Sequence, residues 1–599
     1  MVVVQFARGR APVGPPTAAS TTLEDFYRAG TQWGDPYEQF LSSANCGMCH
    51  GGDDERIHIN KPWSGSMHAQ SGRDPMWYAC LAISEQDTPF IGDMCIRCHV
   101  PRAWLSGRGF PTDGSRINRS DRDSINCHFC HRMVDPFYQE GVSPLEDKQI
   151  LDQLGDRPVD FDSANYVTDP YDRRRGPRGE PNPHSMLLSP FHEDPALCET
   201  CHDVSSPLYD RQPDDTYILN EMGKPHPTGN KYDMFPLERA SSEWKESEFA
   251  RHGVDMGGRF GGNKRVVSTC QDCHMPDTTS RSASFGPMRD DMAAHGAVGG
   301  NTFTGKMIAN LYPDEVDVDQ LNKAMARAED LLKRTVTLQV EQSGDTARVR
   351  VINEGGHKLP TGMPDGRRAW INVVFTNDDG EVIAECGAYD FETAELTQDD
   401  TVVYEIVLGV DGLVAGKVGL PPGPTYHVVL ANAIHKDNRI PPRGFTNEGF
   451  RRVQSPVVGA GYSDGQYWDD ALFVLPIDAA RMTVRVYYQT ASKEYIEFLR
   501  DENRTNDAGR ILYEQWSRTG KSRPVEMAAE TIPLAPFSHG DFNGDHRVDL
   551  EDYGRWAACL KGPGAGPVEP QCRPADLDAD DDVDLADFGR FMVRFTDPQ

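Results

Sequence analysis

The spacing of apolar residues changes near the middle of the 599-residue chain. From about residue 35 to residue 312 the sequence is rich in Pro, Gly and Asp, and its apolar positions show little regular period. Residues 316–334 then carry apolar side chains three and four positions apart, which predicts an amphipathic helix. The apolar positions of this helix are Leu321, Ala324, Met325, Ala328, Leu331 and Leu332.

After this helix the apolar residues alternate with polar ones, beginning with Val336, Leu338 and Val340. Alternation with a period of two predicts strands that bury one face. Further strands are predicted at "AWINVVF" (369–375), "TVVYEIVL" (401–408), "YHVVLANAI" (426–434) and "MTVRVYYQT" (482–490). About seven to nine strands are expected up to residue 490, and a β-sandwich is the packing that buries their apolar faces.

Composition and charge narrow the class of protein. Hydrophobic residues make up 38% of the chain, and no apolar run reaches the roughly 20 residues that a membrane-spanning helix needs. The formal net charge of −31 disfavours binding to nucleic acid or to anionic membrane surfaces. The first residues, "MVVVQFARGRAPVGPPTAAS", start apolar but lack the basic and hydrophobic regions of a signal peptide, so we interpret them as a lead-in.

The candidate chemistry lies in the motif C-x-x-C-H, which occurs five times. Each thiol of such a pair can add to one vinyl group of a haem, and the following histidine is then the proximal ligand of the iron. Zinc sites and disulfides also use paired cysteines, but neither requires a histidine directly after every pair. We therefore predict five covalently bound haem c groups. Their cysteines are Cys46, Cys49, Cys95, Cys98, Cys127, Cys130, Cys198, Cys201, Cys270 and Cys273, and the proximal histidines are His50, His99, His131, His202 and His274.

The residue on the opposite face of each iron decides what the haem can do. A second histidine closes the iron and suits electron transfer, whereas an open face can bind a small molecule. His128 lies between the two cysteines of the third motif, so we predict that it ligates a neighbouring haem; an ordinary surface histidine is the alternative. A methionine such as Met67 is an alternative ligand at one site. The distal candidates are His68, His128, His184, His192, His295 and His357.

Several of these segments together resemble a known family. "CGMCHGG", "GDMCIRCHVPRAWLSGR", "CHFCHRMVDP", "SPFHEDPALCETCHDVSSP" and "STCQDCHMP", with the later "GGHKLPTGMPDGRRAWINV", are similar to bacterial multihaem c-type cytochromes related to the cytochrome c-554 type. The resemblance covers about residues 22–500 and implies export, covalent haem and electron transfer. In such proteins His128, His184, His192, His295 and His357 fall at recurring positions, whereas the position of His68 is often a methionine.

The last sixty or so residues contain an internal repeat of acidic loops, "DFNGDHRVDLED" and "DLDADDDVDLAD", each followed by a short helical pattern. Oxygen ligands at loop positions 1, 3, 5, 7, 9 and 12 bind one calcium ion, although position 12 is Asp here where Glu is usual. The repeat resembles a type I dockerin, which implies a cohesin-like partner; an acidic turn without metal is the alternative. Cys559 and Cys572 flank the insert between the repeats, and we predict a disulfide. The calcium ligands are Asp541, Asn543, Asp545, Arg547 (main chain), Asp549, Asp552, Asp576, Asp578, Asp580, Asp582 (main chain), Asp584 and Asp587.

These observations predict a multidomain α+β protein. A lead-in (1–34) precedes a loop-rich and helical pentahaem domain (35–333), followed by a β-sandwich domain (334–500) and a linker (501–537). The C-terminal module (538–599) is α-helical, with paired EF-hand-like loops and a dockerin-like pattern. The chain is long enough for several domains.

The expected function is electron transfer outside the cytoplasm, in the periplasm or extracellular space, through mostly bis-histidine haems and redox partner proteins. One alternative is an oxidoreductase in which one open haem acts on a small nitrogen or sulfur compound. A second alternative is a conductive, self-assembling or surface-anchored subunit. All five motifs are regular and the remaining histidines outnumber the irons, which favours electron transfer over catalysis. We therefore identify no catalytic residue.

Overall fold

Short helices joined by loops dominate the first half of the chain, because few segments there keep a helical period beyond two turns. This computed structural model describes residues 20–35, 37–51, 57–178, 184–363, 365–476, 478–535, 540–543, 547–565, 568–569, 572, 575–577, 580 and 582–595. The helices of this half are α1 (Ser43–His50), α2 (Asn60–Ser64), α3 (Met67–Gln70), α4 (Pro75–Asp87), α5 (Gly92–His99), α6 (Pro101–Ala103), α7 (Cys127–Cys130), α8 (Leu145–Gln153), α9 (Ala196–His202), α10 (Ala240–Lys245), α11 (Glu248–His252), α12 (Cys270–His274), α13 (Thr304–Leu311) and α14 (Val318–Thr335).

Short strand pairs connect these helices, and most of the pairs are antiparallel. The longest of these pairs, β11 with β12, forms a hairpin beside the first C-x-x-C-H motif, where Ser284 N–H donates to the Cys49 carbonyl at 2.8 Å. The strands are β1 (Met133–Val134), β2 (Val167–Thr168), β3 (Arg174–Gly176), β4 (Met186–Leu188), β5 (Val204–Ser206), β6 (Tyr209–Arg211), β7 (Tyr217–Leu219), β8 (Phe235–Glu238), β9 (Val254–Asp255), β10 (Val266–Val267), β11 (Asp277–Arg281) and β12 (Met288–Ala293).

The amphipathic helix predicted at 316–334 is confirmed as α14. Asp317 caps its first turn, and its buried side chains include Leu321, Met325 and Leu331. The helix runs directly into the first strand of the second half, and Leu332 belongs to the same core as Val336 on that strand. Helix α14 therefore connects the motif-bearing region to the β-rich region without a flexible joint.

The second half contains two antiparallel sheets that pack face to face, with strand orders β13-β14-β23 and β16-β15-β24-β25. Alternate side chains from both sheets fill one core, for example Val349 from β14 and Ile371 and Val484 from the facing sheet. The strands are β13 (Val336–Ser343), β14 (Thr346–Asn353), β15 (Arg368–Thr376), β16 (Val382–Cys386), β17 (Tyr389–Asp390), β18 (Glu395–Leu396), β19 (Val403–Tyr404), β20 (Ile406–Val410), β21 (Gly423–Pro424), β22 (Ala433–Asp437), β23 (Trp468–Val474), β24 (Arg481–Gln489) and β25 (Val525–Pro533). The helices are α15 (Ala415–Val418), α16 (Asn447–Arg452), α17 (Lys493–Asp501) and α18 (Ala508–Arg518).

The structure differs from the sequence expectation at three places in these regions. The segment expected as a linker, 501–537, contains α18 and β25, and β25 pairs with β24, so the sheet continues beyond residue 500. The strand expected at 426–434 begins as the 3-10 helix Val428–Leu430, because three consecutive apolar residues are buried there instead of alternate ones. In the expected lead-in, Phe26 is buried and Arg28 pairs with Asp162, so residues from 20 onward pack on the fold; residues 1–19 lie outside the described residues.

The two halves share a core. Leu408, Val410 and Val429 of the β-rich region pack with Leu208 and Phe235 of the motif-bearing region. The C-terminal module has a separate core, which includes Val548, Trp556, Val583 and Phe591. Its helices are α19 (Leu550–Cys559) and α20 (Leu585–Val593), and the predicted Cys559–Cys572 disulfide is present. Among the described residues no helix combines the length and the apolarity that crossing a membrane requires.

Candidate functional site

Each C-x-x-C-H motif lies on a short helix: α1, α5, α7, α9 or α12. Helical geometry places residues three apart on one face, so both cysteines of a motif point to the same side with the histidine one position further on. Side-chain caps begin several of these helices, since Ser42, Asn126 and Thr269 each accept a backbone N–H from the first turn. The attachment unit is therefore formed by residues that are neighbours along the chain.

The motif histidines use Nδ1 to bond to nearby oxygen atoms. Nδ1 of His50 lies 2.6 Å from the Ser282 carbonyl, Nδ1 of His131 lies 2.7 Å from the Arg175 carbonyl, and Nδ1 of His274 lies 2.6 Å from the Val298 carbonyl. A carbonyl can only accept, so the proton lies on Nδ1 and the Nε2 lone pair is free for a metal. At His202 the neighbouring oxygen is Oε1 of Glu238, 3.6 Å from Nδ1.

Four of the five motif histidines have a second imidazole at nearly the same distance. A metal–imidazole bond is about 2 Å long, so two imidazoles on opposite sides of one metal have ring centres about 6 Å apart. The observed spacing therefore fits an iron held between each pair of rings. The pairs are His50–His184 (6.2 Å between ring centroids), His202–His68 (6.1 Å), His131–His295 (6.3 Å) and His274–His357 (6.2 Å).

The second histidine of each pair comes from a different part of the fold. His68 lies on α3, His184 precedes β4, His295 follows β12 and His357 lies in the loop after β14. Nδ1 of His295 lies 2.8 Å from the Ala293 carbonyl, and Nδ1 of His357 lies 3.1 Å from the Lys358 carbonyl, which again leaves Nε2 free. Burial lowers the pKa of His68 and of His295 to about 4, so both rings are neutral at pH 7, as metal binding requires.

His192 also lies beside His131, with nearly parallel rings whose centroids are 5.3 Å apart. Its Nε2 lies 3.0 Å from the Cys130 carbonyl, so that nitrogen carries a proton and faces the backbone. His295, whose Nε2 is free, is the better candidate for the iron of the third motif. The structure thus brings two predicted histidines to one motif. Nδ1 of His192 is buried without a hydrogen-bond partner among the described residues. The spacing of the ring centroids therefore distinguishes the two, at 6.3 Å for His295, as in the other pairs, and 5.3 Å for His192.

His128 is placed differently from the expectation that it ligates a neighbouring haem. It is 1% exposed, Leu41 N–H donates to its Nδ1 at 2.6 Å, and its Nε2 lies 2.9 Å from Oδ1 of Asp172. Its ring packs edge-on against Phe40. Because both ring nitrogens already have protein partners, this geometry does not support His128 as an iron ligand. Burial is the main cause that lowers its pKa to about 4.

His99, in the second motif, has no second histidine ring at the paired distance in the described part of the chain. The ring closest to it is Trp77 of α4, with centroids 5.1 Å apart and planes inclined by 15°. Burial lowers the pKa of His99 to about 4, so it is a neutral imidazole at pH 7. The sequence does not single out Trp77, because "PMWYACLAI" has the composition of an ordinary apolar helix.

The five motifs form a connected series in space. The thiols of Cys46 and Cys127 are within hydrogen-bonding range, and so are those of Cys198 and Cys270. Cys201 also interacts electrostatically with Cys98 and with Cys130. The first motif therefore adjoins the third, the third adjoins the fourth, and the fourth adjoins both the second and the fifth.

The acidic repeats of the C-terminal module form two loops in front of α19 and α20. Asp552 and Asp587, at position 12 of each loop, are fully buried and accept backbone N–H groups of their own loops. The carboxylates of Asp582, Asp584 and Asp587 lie within 4.8 Å of one another, which fits a hard cation with oxygen ligands. The structure thus presents a side-chain oxygen of Asp582, where the main-chain carbonyl was expected. The predicted ligands Asp545 and Asp578 lie outside the described residues.

Comparison with known proteins gives little further information. No protein-family model matches the chain, and no curated protein matches it. The crystal structure of a penta-heme cytochrome c552 from Thermochromatium tepidum superposes with a TM-score of 0.47 and 18% identity, over 82% of this chain and 99% of that chain. Similarity at this level shows nothing about function. The motifs and the paired histidines are the features that indicate a function.

Proposed function

We propose that this protein is a multihaem c-type cytochrome that binds five haem c groups and transfers electrons between redox partners. The observation that carries the proposal is the recurrence of a histidine pair, 6.1 to 6.3 Å apart, at four C-x-x-C-H motifs. A bound haem supplies one-electron redox chemistry. The cysteine pairs would tether the cofactor, and the Nδ1 bonds of His50, His131 and His274 hold these rings in orientation.

In this proposal the pairs of residues that would hold an iron are His50 with His184, His131 with His295, His202 with His68, and His274 with His357. An iron held by two histidines would have no open position, so these four sites would serve electron transfer without binding substrate. The adjacency of the motifs supports transfer along the series. The His50 end is a suitable point for exchange with a partner, since Cys49 is exposed and the Met48 side chain is 74% exposed.

A second candidate function concerns the motif at His99. Trp77 stacks beside His99 with ring centroids 5.1 Å apart, and no second histidine is paired with His99 in the described part of the chain. An indole does not act as an axial ligand in the way that histidine does. An iron held by His99 with an open face binds small molecules, which supports an oxidoreductase acting on a nitrogen or sulfur compound such as nitrite, hydroxylamine or sulfite.

Low-temperature electron paramagnetic resonance of the oxidised, haem-loaded protein tests both candidates. We expect five haems per chain, four with low-spin signals and one with a high-spin signal that shifts when nitrite or hydroxylamine is added. Low-spin signals from all five irons would exclude the oxidoreductase function and leave electron transfer as the function. Fewer than four bis-histidine haems per chain would overturn the main proposal.

We also propose that the protein lies outside the cytoplasm and that its C-terminal module binds calcium. Cysteine-attached haem and the Cys559–Cys572 disulfide support a site outside the cytoplasm, in the periplasm or extracellular space. Two calcium ions in the C-terminal loops are supported by the oxygen-rich set around Asp584 and Asp587. The dockerin-like repeat makes a cohesin-like partner the first candidate for this module. Binding of the isolated module to a cohesin panel, with and without calcium, tests that assignment.

A further inference from the structure

Four charged side chains form a buried network around the loop that carries His357. Lys358 and Arg439 are its cations, and Glu243 and Asp437 are its anions. Lys358, Glu243 and Asp437 are fully buried, and Arg439 is 6% exposed. The opposite charges balance, as a buried set of ions requires.

Direct hydrogen bonds connect the network. Lys358 Nζ donates to Asp437 Oδ2 at 2.7 Å and to the Ser455 carbonyl at 2.9 Å. Arg439 Nη2 donates to Asp437 Oδ2 at 2.7 Å and to Glu243 Oε1 at 2.9 Å. The Ser455 hydroxyl also donates to Glu243 Oε1, at 2.7 Å.

Glu243 differs from the other members because it belongs to the motif-bearing half of the molecule, on α10. Its Oε2 accepts the backbone N–H of Lys358 at 3.0 Å, which is the peptide group directly after His357. The next peptide unit contacts the ring itself, since the Lys358 carbonyl lies 3.1 Å from Nδ1 of His357. Glu243 therefore holds the backbone that orients the His357 ring.

The loop approaches α10 closely. A Cβ at Gly356 would lie 3.3 Å from the Trp244 ring and 3.5 Å from Phe249, so glycine lets the backbone come this near. Burial is the main influence on His357 and lowers its pKa, while the charge of Glu243 acts in the opposite direction. The carboxylate is thus close enough to act on the imidazole electrostatically.

We propose that Glu243 is a positioning residue that fixes His357 as the second ligand of the fifth haem and, through its charge, sets the reduction potential of that haem. This inference rests on the proposed function. A negative charge near the iron stabilises the oxidised form, which carries one more positive charge than the reduced form. Glu243 and Lys358 should therefore shift the potential in opposite directions.

Potentiometric titration of the full, haem-loaded chain, followed by electron paramagnetic resonance, tests the proposal. Glu243→Gln keeps the shape and removes the anion, so we expect the fifth haem to be reduced more easily, by about tenfold in its reduction equilibrium or about 59 mV. Lys358→Met removes a cation, so the potential of the same haem should fall. Because general damage would move both variants in the same direction, the opposite signs identify the electrostatic role.

Asp121→Asn is the matched control. Asp121 is a fully buried carboxylate paired with Arg108 in the same half of the molecule, and its hydrogen bonds to Arg108 and Asn118 involve no paired histidine. The control should leave the fifth potential unchanged. If both network variants still bind five haems and the reduction potential of the fifth haem is unchanged in each, the inference is wrong. Absence of five haems in the unmodified protein would instead overturn the proposed function.

Discussion

A buried imidazole can use one nitrogen to fix its orientation and the other to bind a metal. His131 and His295 follow this pattern, since both use Nδ1 on a backbone carbonyl. His128 has the opposite arrangement, because its Nδ1 accepts Leu41 N–H and its Nε2 faces Asp172. A difference in hydrogen bonding thus separates a candidate ligand from a structural histidine.

Substitution of His295 and of His192 separates their roles at the third motif. His295→Ala should convert one low-spin haem signal into a high-spin signal, because His131 loses the imidazole opposite it. His192→Ala should leave the number of low-spin haems unchanged, since the His192 ring centroid lies 5.3 Å from that of His131, closer than in the four pairs whose spacing fits an iron. Electron paramagnetic resonance with haem quantification measures both outcomes. The reverse result would assign His192 as the ligand.

Asp365 predicts a pH effect on stability. It is 9% exposed, Oδ2 has no hydrogen-bond partner among the described residues, and burial raises its pKa to about 8. Between about pH 4 and pH 8 the folded state therefore holds a proton that the unfolded state has released, and the free energy of unfolding falls by up to about 1.4 kcal/mol per pH unit as pH rises.

Asp365→Asn removes this titration, so the free energy of unfolding of the variant should depend less on pH than that of the unmodified protein. The difference between the two should grow in favour of the variant from pH 5 to pH 8. Denaturant unfolding at several pH values measures the effect. Asp399→Asn, at an exposed carboxylate in the same half of the chain, is the control and should keep the original slope. If the free energy of unfolding changes with pH in the same way in the Asp365 variant and in the unmodified protein, Asp365 is not the group responsible for the pH dependence.

At the scale of helices and strands, local patterns decide which elements form. The helical spacing in 316–334 produces α14, and alternation produces β14, whose inward residues include Val349 and Val351. The segment 426–434 departs from alternation, since its three central residues are all buried against the other half of the molecule. Tertiary burial overrides the strand propensity there.

The loops before α19 and α20 predict calcium-dependent stability of the C-terminal module. Carboxylates as close as those of Asp582, Asp584 and Asp587 repel one another, and a bound cation removes the repulsion. Calcium at about 100 times its dissociation constant should stabilise the module by about 2.7 kcal/mol per site. Calorimetry with calcium and with EGTA measures the shift, and Asp587→Asn should reduce it. Magnesium at the same concentration is the control, and an equal response would exclude a calcium-selective site.

At the scale of the whole molecule, the two large halves share a core but the C-terminal module does not. Phe235 packs with Val410 and Val429 across the halves, whereas Trp556 and Phe591 pack within the module. We therefore expect two calorimetric transitions, one for residues 20–535 together and one for the module. EGTA should shift the module's transition and leave the larger one in place. Separate melting of the β-rich half would contradict a shared core.

The sequence by itself determined the chemistry of this protein. C-x-x-C-H needs only five adjacent positions, so its attachment geometry is local. Helix α14 and the β-rich half likewise follow from the spacing of apolar residues along the chain. The Cys559–Cys572 disulfide was also predictable, because these two cysteines flank the insert between the repeats.

The tertiary structure alone decided how the histidines are paired. His357 lies 83 positions after His274 along the chain, yet their ring centroids are 6.2 Å apart. The sequence likewise did not separate His295 from His192, or reveal that Trp77 faces His99. Ligand pairing depends on which distant segments pack together and on which ring nitrogen is already bonded, and no local pattern records either property.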